Sequence, residues 1–125
     1  MLFRSQEPAD AHALLAAVQR TMTTDVGVVR DAARLDLAAA TLGDLALIEH
    51  HLQQRVPETY EVMNVGHVAR ALVAAAIVRK ESRGSHTRSD FPEQRPEQLG
   101  RWVHTGAPGP HFVALPGVPT RGRRR

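Results

Sequence analysis

Residues 79–92 read Arg-Lys-Glu-Ser-Arg-Gly-Ser-His-Thr-Arg-Ser-Asp-Phe-Pro, and seven of these fourteen side chains are ionisable. Arg83 offers a planar guanidinium fork for a carboxylate or a carbonyl, and Glu81 and Asp90 offer acceptors. Arg79, Ser82, His86 and Arg88 add further donors and acceptors, and Gly84 lets the backbone turn sharply between them. The cluster directly follows the most apolar part of the chain. It suits the docking of another surface, and it equally suits a charged helix end exposed to water. The residues alone leave both readings open.

Other chemistries find little support. The chain has no cysteine, which removes disulfides, thiolate metal sites and cysteine nucleophiles together. Seven histidines raise the question of a metal. His50 and His51 are adjacent, however, and on a helix they point about 100° apart, so they cannot chelate one ion from the same face. His12, His67, His104 and His111 are isolated, and surface or hydrogen-bonded roles are expected for them. No GxGxxG, GxxxxGK[ST] or GxSxG is present, and the carboxylates are scattered. No catalytic, metal-binding or cofactor-binding residue is therefore expected in the chain.

The elements that must position the cluster are helical. Asp10, just after Pro8, is a good N-cap, and Leu14, Leu15, Val18 and Met22 follow as one apolar stripe. Thr23, Thr24, Asp25 and Gly27 break the pattern, with Val26, Val28 and Val29 expected to stay buried while the chain bends. A second stripe recurs at Leu35, Ala38, Leu42, Leu45, Ile48 and Leu52. Gly43 within it costs about 1 kcal/mol relative to Ala, so a close helix approach is expected there. Pro57 ends that helix or opens the next.

The third stripe runs through Val62, Val65, Ala69, Leu72, Val73, Ala76 and Ile77. Helices are thus expected near residues 10–24, 29–54 and 58–82, with Gly84 as the last C-terminal cap. Residues 71–78 are apolar on every side, as in a helix covered from two directions, so a partner surface is expected. A homodimer through this face is one way to supply it. Beyond Gly84, six prolines and five glycines predict irregular structure, anchored by Trp102, Phe112 and Leu115.

The whole reads as an all-α fold, a three-helix bundle with an irregular Pro/Gly-rich C-terminal segment. Its parts are a leader over residues 1–9, the helical domain over 10–92 and the irregular segment over 93–125. With 125 residues the chain makes one domain, too short for a dinucleotide-binding domain plus a substrate domain. Only 4% of residues are aromatic, so the core rests on Leu, Val, Ile and Ala, as suits packed helices.

The pI of about 10.5 is misleading. Four of the 16 basic residues are Arg121, Arg123, Arg124 and Arg125, and without them 12 basic residues face 13 acidic ones. The basicity belongs to a tail, so nucleic-acid binding is not expected. No signal peptide is visible, and the apolar run over 71–78 is far below the roughly 20 residues that span a bilayer. A soluble, cytoplasmic protein without membrane contact is expected.

The dense stretch resembles the R-x-E-S-R-G-x-H-x-R-x-D-[FY]-P signature near the C-terminus of the flavoprotein family containing L-aspartate oxidase, succinate dehydrogenase and fumarate reductase. Arg79, Glu81, Ser82, Arg83, Gly84, His86, Arg88, Asp90, Phe91 and Pro92 carry the match. Residues 22–30 are similar to the family's M-x-x-x-V-G-I-x-R turn, which ends here at Arg30. Asn64 and the helix after it resemble the family's run before the signature. The resemblance covers roughly residues 14–104 and is nearest to the L-aspartate oxidase branch, because the chain stops soon after His104. The same domain of a succinate dehydrogenase or fumarate reductase flavoprotein is the first alternative. A free-standing helical interaction module is the second.

The resemblance implies a spectrin-repeat-like bundle appended to FAD-binding and capping domains, which would be its partners. It implies FAD in the parent enzyme, none held by this chain, and a parent reaction in which L-aspartate becomes iminoaspartate. The signature would then dock and brace the helical domain against the flavoprotein body, with Arg83, Glu81 and His86 as leading contacts.

Overall fold

Asp10 does start the first helix: its carboxylate accepts from the His12 amide at 2.9 Å. The computed structural model describes residues 10–52, 56–106 and 108–115. The leader over 1–9 and the basic tail lie outside the described residues. Three helices, α1 (Ala11–Asp25), α2 (Ala32–Glu49) and α3 (Pro57–Val78), pack pairwise against one another. Leu14 and Val18 of α1, Leu35, Ala38, Leu42 and Leu45 of α2, and Val62, Ala69, Val73 and Ala76 of α3 form one core. Each stripe read from the sequence thus supplies its helix's buried side, except that Leu72 of the third is exposed.

The helix limits differ from expectation, each for a local reason. α2 begins at Ala32 because the Asp31 carboxylate caps the Arg34 amide. Ahead of it Val26 is buried, but Val28 and Val29 are 82% and 60% exposed rather than buried. α2 ends at Glu49, where His51 and Leu52 donate to carbonyls only three residues back and tighten the last turn. Gly43 meets nothing across from it. The close approach lies instead at Gly66, where an added Cβ would collide with the carboxylate of buried Glu49.

α3 stops at Val78, several residues before the expected end, and Gly84 is not its cap. Arg79 is already extended, and the guanidinium of Arg88 donates to the carbonyls of Ala76 and Ile77 at 3.0 and 3.1 Å. A cation thus satisfies the helix terminus from outside the helix. Gly84, at φ 58°, forms the tight turn between Arg83 and His86.

The largest correction is a hairpin within the segment expected to be irregular. Strands β1 (Val29–Arg30) and β2 (Thr87–Arg88) make a short parallel pair. Strands β3 (Gly100–His104) and β4 (Pro110–Ala114) then pair antiparallel, with Trp102 opposite Phe112 and their ring centres 5.4 Å apart. Gly106 and Gly109 supply the positive φ values of the connection, and Pro110 opens its strand where proline is tolerated.

This hairpin lies against α3. It provides part of the second cover that the all-round apolar stretch requires, although Leu72 remains 41% exposed. By length and composition α3 would also pass as a membrane-crossing helix, with 22 residues and a mean hydropathy of 1.4 over its most apolar 18-residue window. One side of the helix is used here against α1, α2 and the hairpin, while Val68 and Leu72 stay exposed.

Candidate functional site

The polar cluster is drawn together around two carboxylates. Leaving α3 in extended conformation, the chain folds back through the Gly84 turn, so residues two apart in sequence meet on one side. Glu81 is fully buried. It accepts from Arg79 Nη1 at 2.6 Å, from Arg83 Nε at 2.7 Å and Nη2 at 3.2 Å, and from the Arg95 amide at 2.7 Å. Burial works against its charge, but Arg83, the Arg95 amide and Arg79 together hold its carboxyl below the usual range. Arg79 continues outward to the carbonyls of Gln98 and Gly100, tying the end of α3 to the start of β3.

The second centre is Arg88, whose side chain is 1% exposed. It forks onto Asp90 through two hydrogen bonds of 2.9 Å while capping α3, and it lies 5.1 Å over the Phe91 ring. The hydrogen bonds from Arg88 lower the Asp90 carboxyl to about 2, and the Ala32 amide at the start of α2 adds to that effect. Ser82 Oγ accepts from the Arg88 amide and bonds the carbonyls of Arg88 and Phe91.

His86 sits between the two centres. One ring nitrogen lies 3.0 Å from the Arg79 carbonyl and the other 3.0 Å from Arg30 Nη1. A neutral ring with hydrogen on Nε2 satisfies both contacts. Burial lowers its pKa, and the charges of Arg30, Arg88 and Arg79 lower it further against the pull of the Arg79 carbonyl.

This has a testable consequence. A histidine pKa that falls on folding means that the unfolded chain binds the extra proton first. Stability is then lost as pH drops from the ordinary value of 6.5 toward the lower folded one. Denaturation midpoints measured between pH 7.5 and 5.5 should fall, and His86→Gln, which keeps a donor and an acceptor, should flatten the slope. Glu49, pushed up by burial despite Arg70, works in the opposite sense, but nearer the carboxylate range. An unchanged slope in the Gln variant would show that His86 is not the titrating group.

All eight residues singled out in the sequence therefore converge, and the bonds they make tie parts of this chain to one another. Of Arg83, Glu81 and His86, the expected leading contacts to another domain, the first two join the chain after α3 to Arg95, and His86 joins it to Arg30 at the α1–α2 corner. Sequence reasoning missed Arg30 as a member of this network. Its signal was the arginine that ends the V-G-x-x-R turn. It also missed Trp102 and Arg101 as the wall of a groove beside the network.

Residues 15–107 match the family model described as fumarate reductase flavoprotein C-term. The chain is 36% identical over 94 residues to the L-aspartate oxidase of Rhodospirillum rubrum, covering 75% of this chain and 31% of that protein. It is 35% identical over 117 residues to the L-aspartate oxidase of Mycobacterium leprae, covering 93% of this chain and 22% of that one. Among solved structures, a chain of the Mycobacterium smegmatis Sdh1 complex in the apo form superposes with a TM-score of 0.69 at 26% identity, over 88% of this chain and 20% of that one. The chain thus spans less than a third of the curated relatives it matches.

Proposed function

This chain belongs to the fumarate reductase flavoprotein C-terminal family, and on that premise we propose that it is the helical C-terminal domain of an L-aspartate oxidase. The whole enzyme would be cytoplasmic and would oxidise L-aspartate to iminoaspartate with FAD as hydride acceptor, at the start of quinolinate and NAD synthesis. The observation that carries the reading is the similarity to an L-aspartate oxidase along 93% of the chain. The TM-score of 0.69 to a chain of the Sdh1 complex keeps one alternative, the same domain of a succinate dehydrogenase or fumarate reductase flavoprotein.

The described residues offer no fit for a flavin dinucleotide at a helix N-terminus. Phosphates are usually cradled where a glycine-rich turn opens a helix. Here the N-termini of α1 and α2 are capped by the Asp10 and Asp31 carboxylates, and α3 opens on Pro57. No step of the reaction is assigned to this chain. Its part would be structural, a three-helix bundle of spectrin-repeat type that docks on the FAD-binding and capping domains, stiffened at the docking end by residues 79–90.

Two measurements test this. Flavin fluorescence should show no stoichiometric uptake of FAD by the 125-residue chain, and uptake would overturn the non-catalytic role. The complete flavoprotein carrying this chain should reduce its flavin with L-aspartate and not with succinate. The reverse preference would favour the alternative.

A further inference from the structure

An open groove of about 570 Å³ runs between α3 and the hairpin. Its floor is apolar, with Leu72 and Ala75 from α3 and Trp102 from β3. Its rim is cationic: Arg30, Arg79 and Arg101 line it together with His86, and no carboxylate among the described residues does. Arg30 and Arg79 donate inward to Gly27, Glu81, Gln98 and Gly100. Arg101 is exposed, and its side chain has no ion pair or hydrogen bond among the described residues. The indole N–H of Trp102 is buried without an acceptor. One turn up the same side of α3, Val68 is 64% exposed and extends the apolar floor outward past Leu72.

We infer that this groove seats a carboxylate-bearing, partly apolar segment from the flavin-binding remainder of the parent flavoprotein. The inference rests on the proposed function, since that remainder is the part of the relatives this chain does not span. It moves the docking surface from the signature, whose charges close on one another, to the groove beside it. Charge selects the occupant. A second copy paired about a two-fold axis would bring the same cationic rim against itself, which is unfavourable without counter-charges. A small free anion would leave Leu72 and Val68 uncovered. A segment alternating acidic and aliphatic residues satisfies both the rim and the floor.

Trp102 is the sole tryptophan of the chain and so reports on the groove directly. The experiment titrates the full chain with acetyl-Leu-Glu-Leu-Glu-Leu-amide, following tryptophan emission, beside the matching peptide with Gln for Glu. A saturable, salt-sensitive change is expected, weakened at least about tenfold by Gln in the peptide or by Arg101→Glu in the chain. No saturable change up to millimolar peptide, or equal response to both peptides, would overturn the proposal. Sedimentation without peptide covers the other occupant, because a dimer broken by Leu72→Lys would assign the groove to a second copy. The flavin and L-aspartate measurements do not involve Arg101. Failure of the groove is therefore distinguishable from failure of the family reading.

Discussion

Glu81→Ala is expected to lower the unfolding free energy by about 3 kcal/mol, at the low end of the range for breaking a buried ion pair, because Arg79 and Arg83 keep some access to water. The carboxylate gathers two guanidinium groups and the Arg95 amide. Without it those donors face each other around an empty centre, and the strap over residues 93–100 loses the tie at the Arg95 amide and keeps those from Arg79 to Gln98 and Gly100. Trp102 emission should therefore shift toward that of exposed tryptophan at denaturant concentrations where the helical signal is still intact. Lys80→Ala, at the exposed neighbouring position, should stay within about 0.5 kcal/mol. Since the folded Glu81 carboxyl lies below its ordinary value of 4.5, its contribution is present above that value and is lost as pH falls through the folded one. Urea unfolding at neutral pH decides the matter, and equal effects at positions 80 and 81 would show that the buried network carries no stability.

The helices were legible because burial leaves a periodic trace. Leu35, Ala38, Leu42 and Leu45 can share one side only on a helix, and Asp10 announces itself as a cap by type and place. The helix ends were less legible, since the bonds that set them are not local. Nothing within α3 predicts that Arg88 will reach back to Ala76 and Ile77, so Gly84, with the right type in the right place, was read as the cap. The hairpin escaped for the opposite reason. Its glycines and prolines dominate the composition, while its pairing depends on only a few residues, Trp102 opposite Phe112 among them. The site was legible as a set of residues but not as a geometry. The mixed charges at 79, 81, 83, 88 and 90 fit outward docking as well as inward pairing, and only the fold back through Gly84 makes the inward pairs.

Arg88 should be the most costly side chain to remove from the signature. Arg88→Met keeps the volume and apolar stem but leaves the carbonyls of Ala76 and Ile77 without its donors and leaves exposed Asp90 only the Ala32 amide. A loss of about 3–5 kcal/mol is expected, mostly from the two carbonyls, at about 1–3 kcal/mol for each group left unpaired in the interior. Arg88→Lys keeps the charge, but a single ammonium cannot fork onto Asp90 and cap α3 together, so it should recover only part of the loss. Asp90 supplies an independent readout. Its folded carboxyl stands at about 2 against an ordinary 3.8, so it stabilises the fold above the ordinary value, and that stabilisation fades as pH falls toward 2. In Arg88→Met the carboxyl should move back toward the ordinary value in an NMR titration, and this acid-side loss of stability should shrink with it. Arg88→Met combined with Asp90→Asn should then cost less than the sum of the two single changes, because the second substitution removes the charge that the first one stranded. If the single effects simply add, with Asp90 still titrating near 2 in the Met variant, the fork is not what holds this corner. The Ala32 amide at the start of α2 would then be the partner to test next.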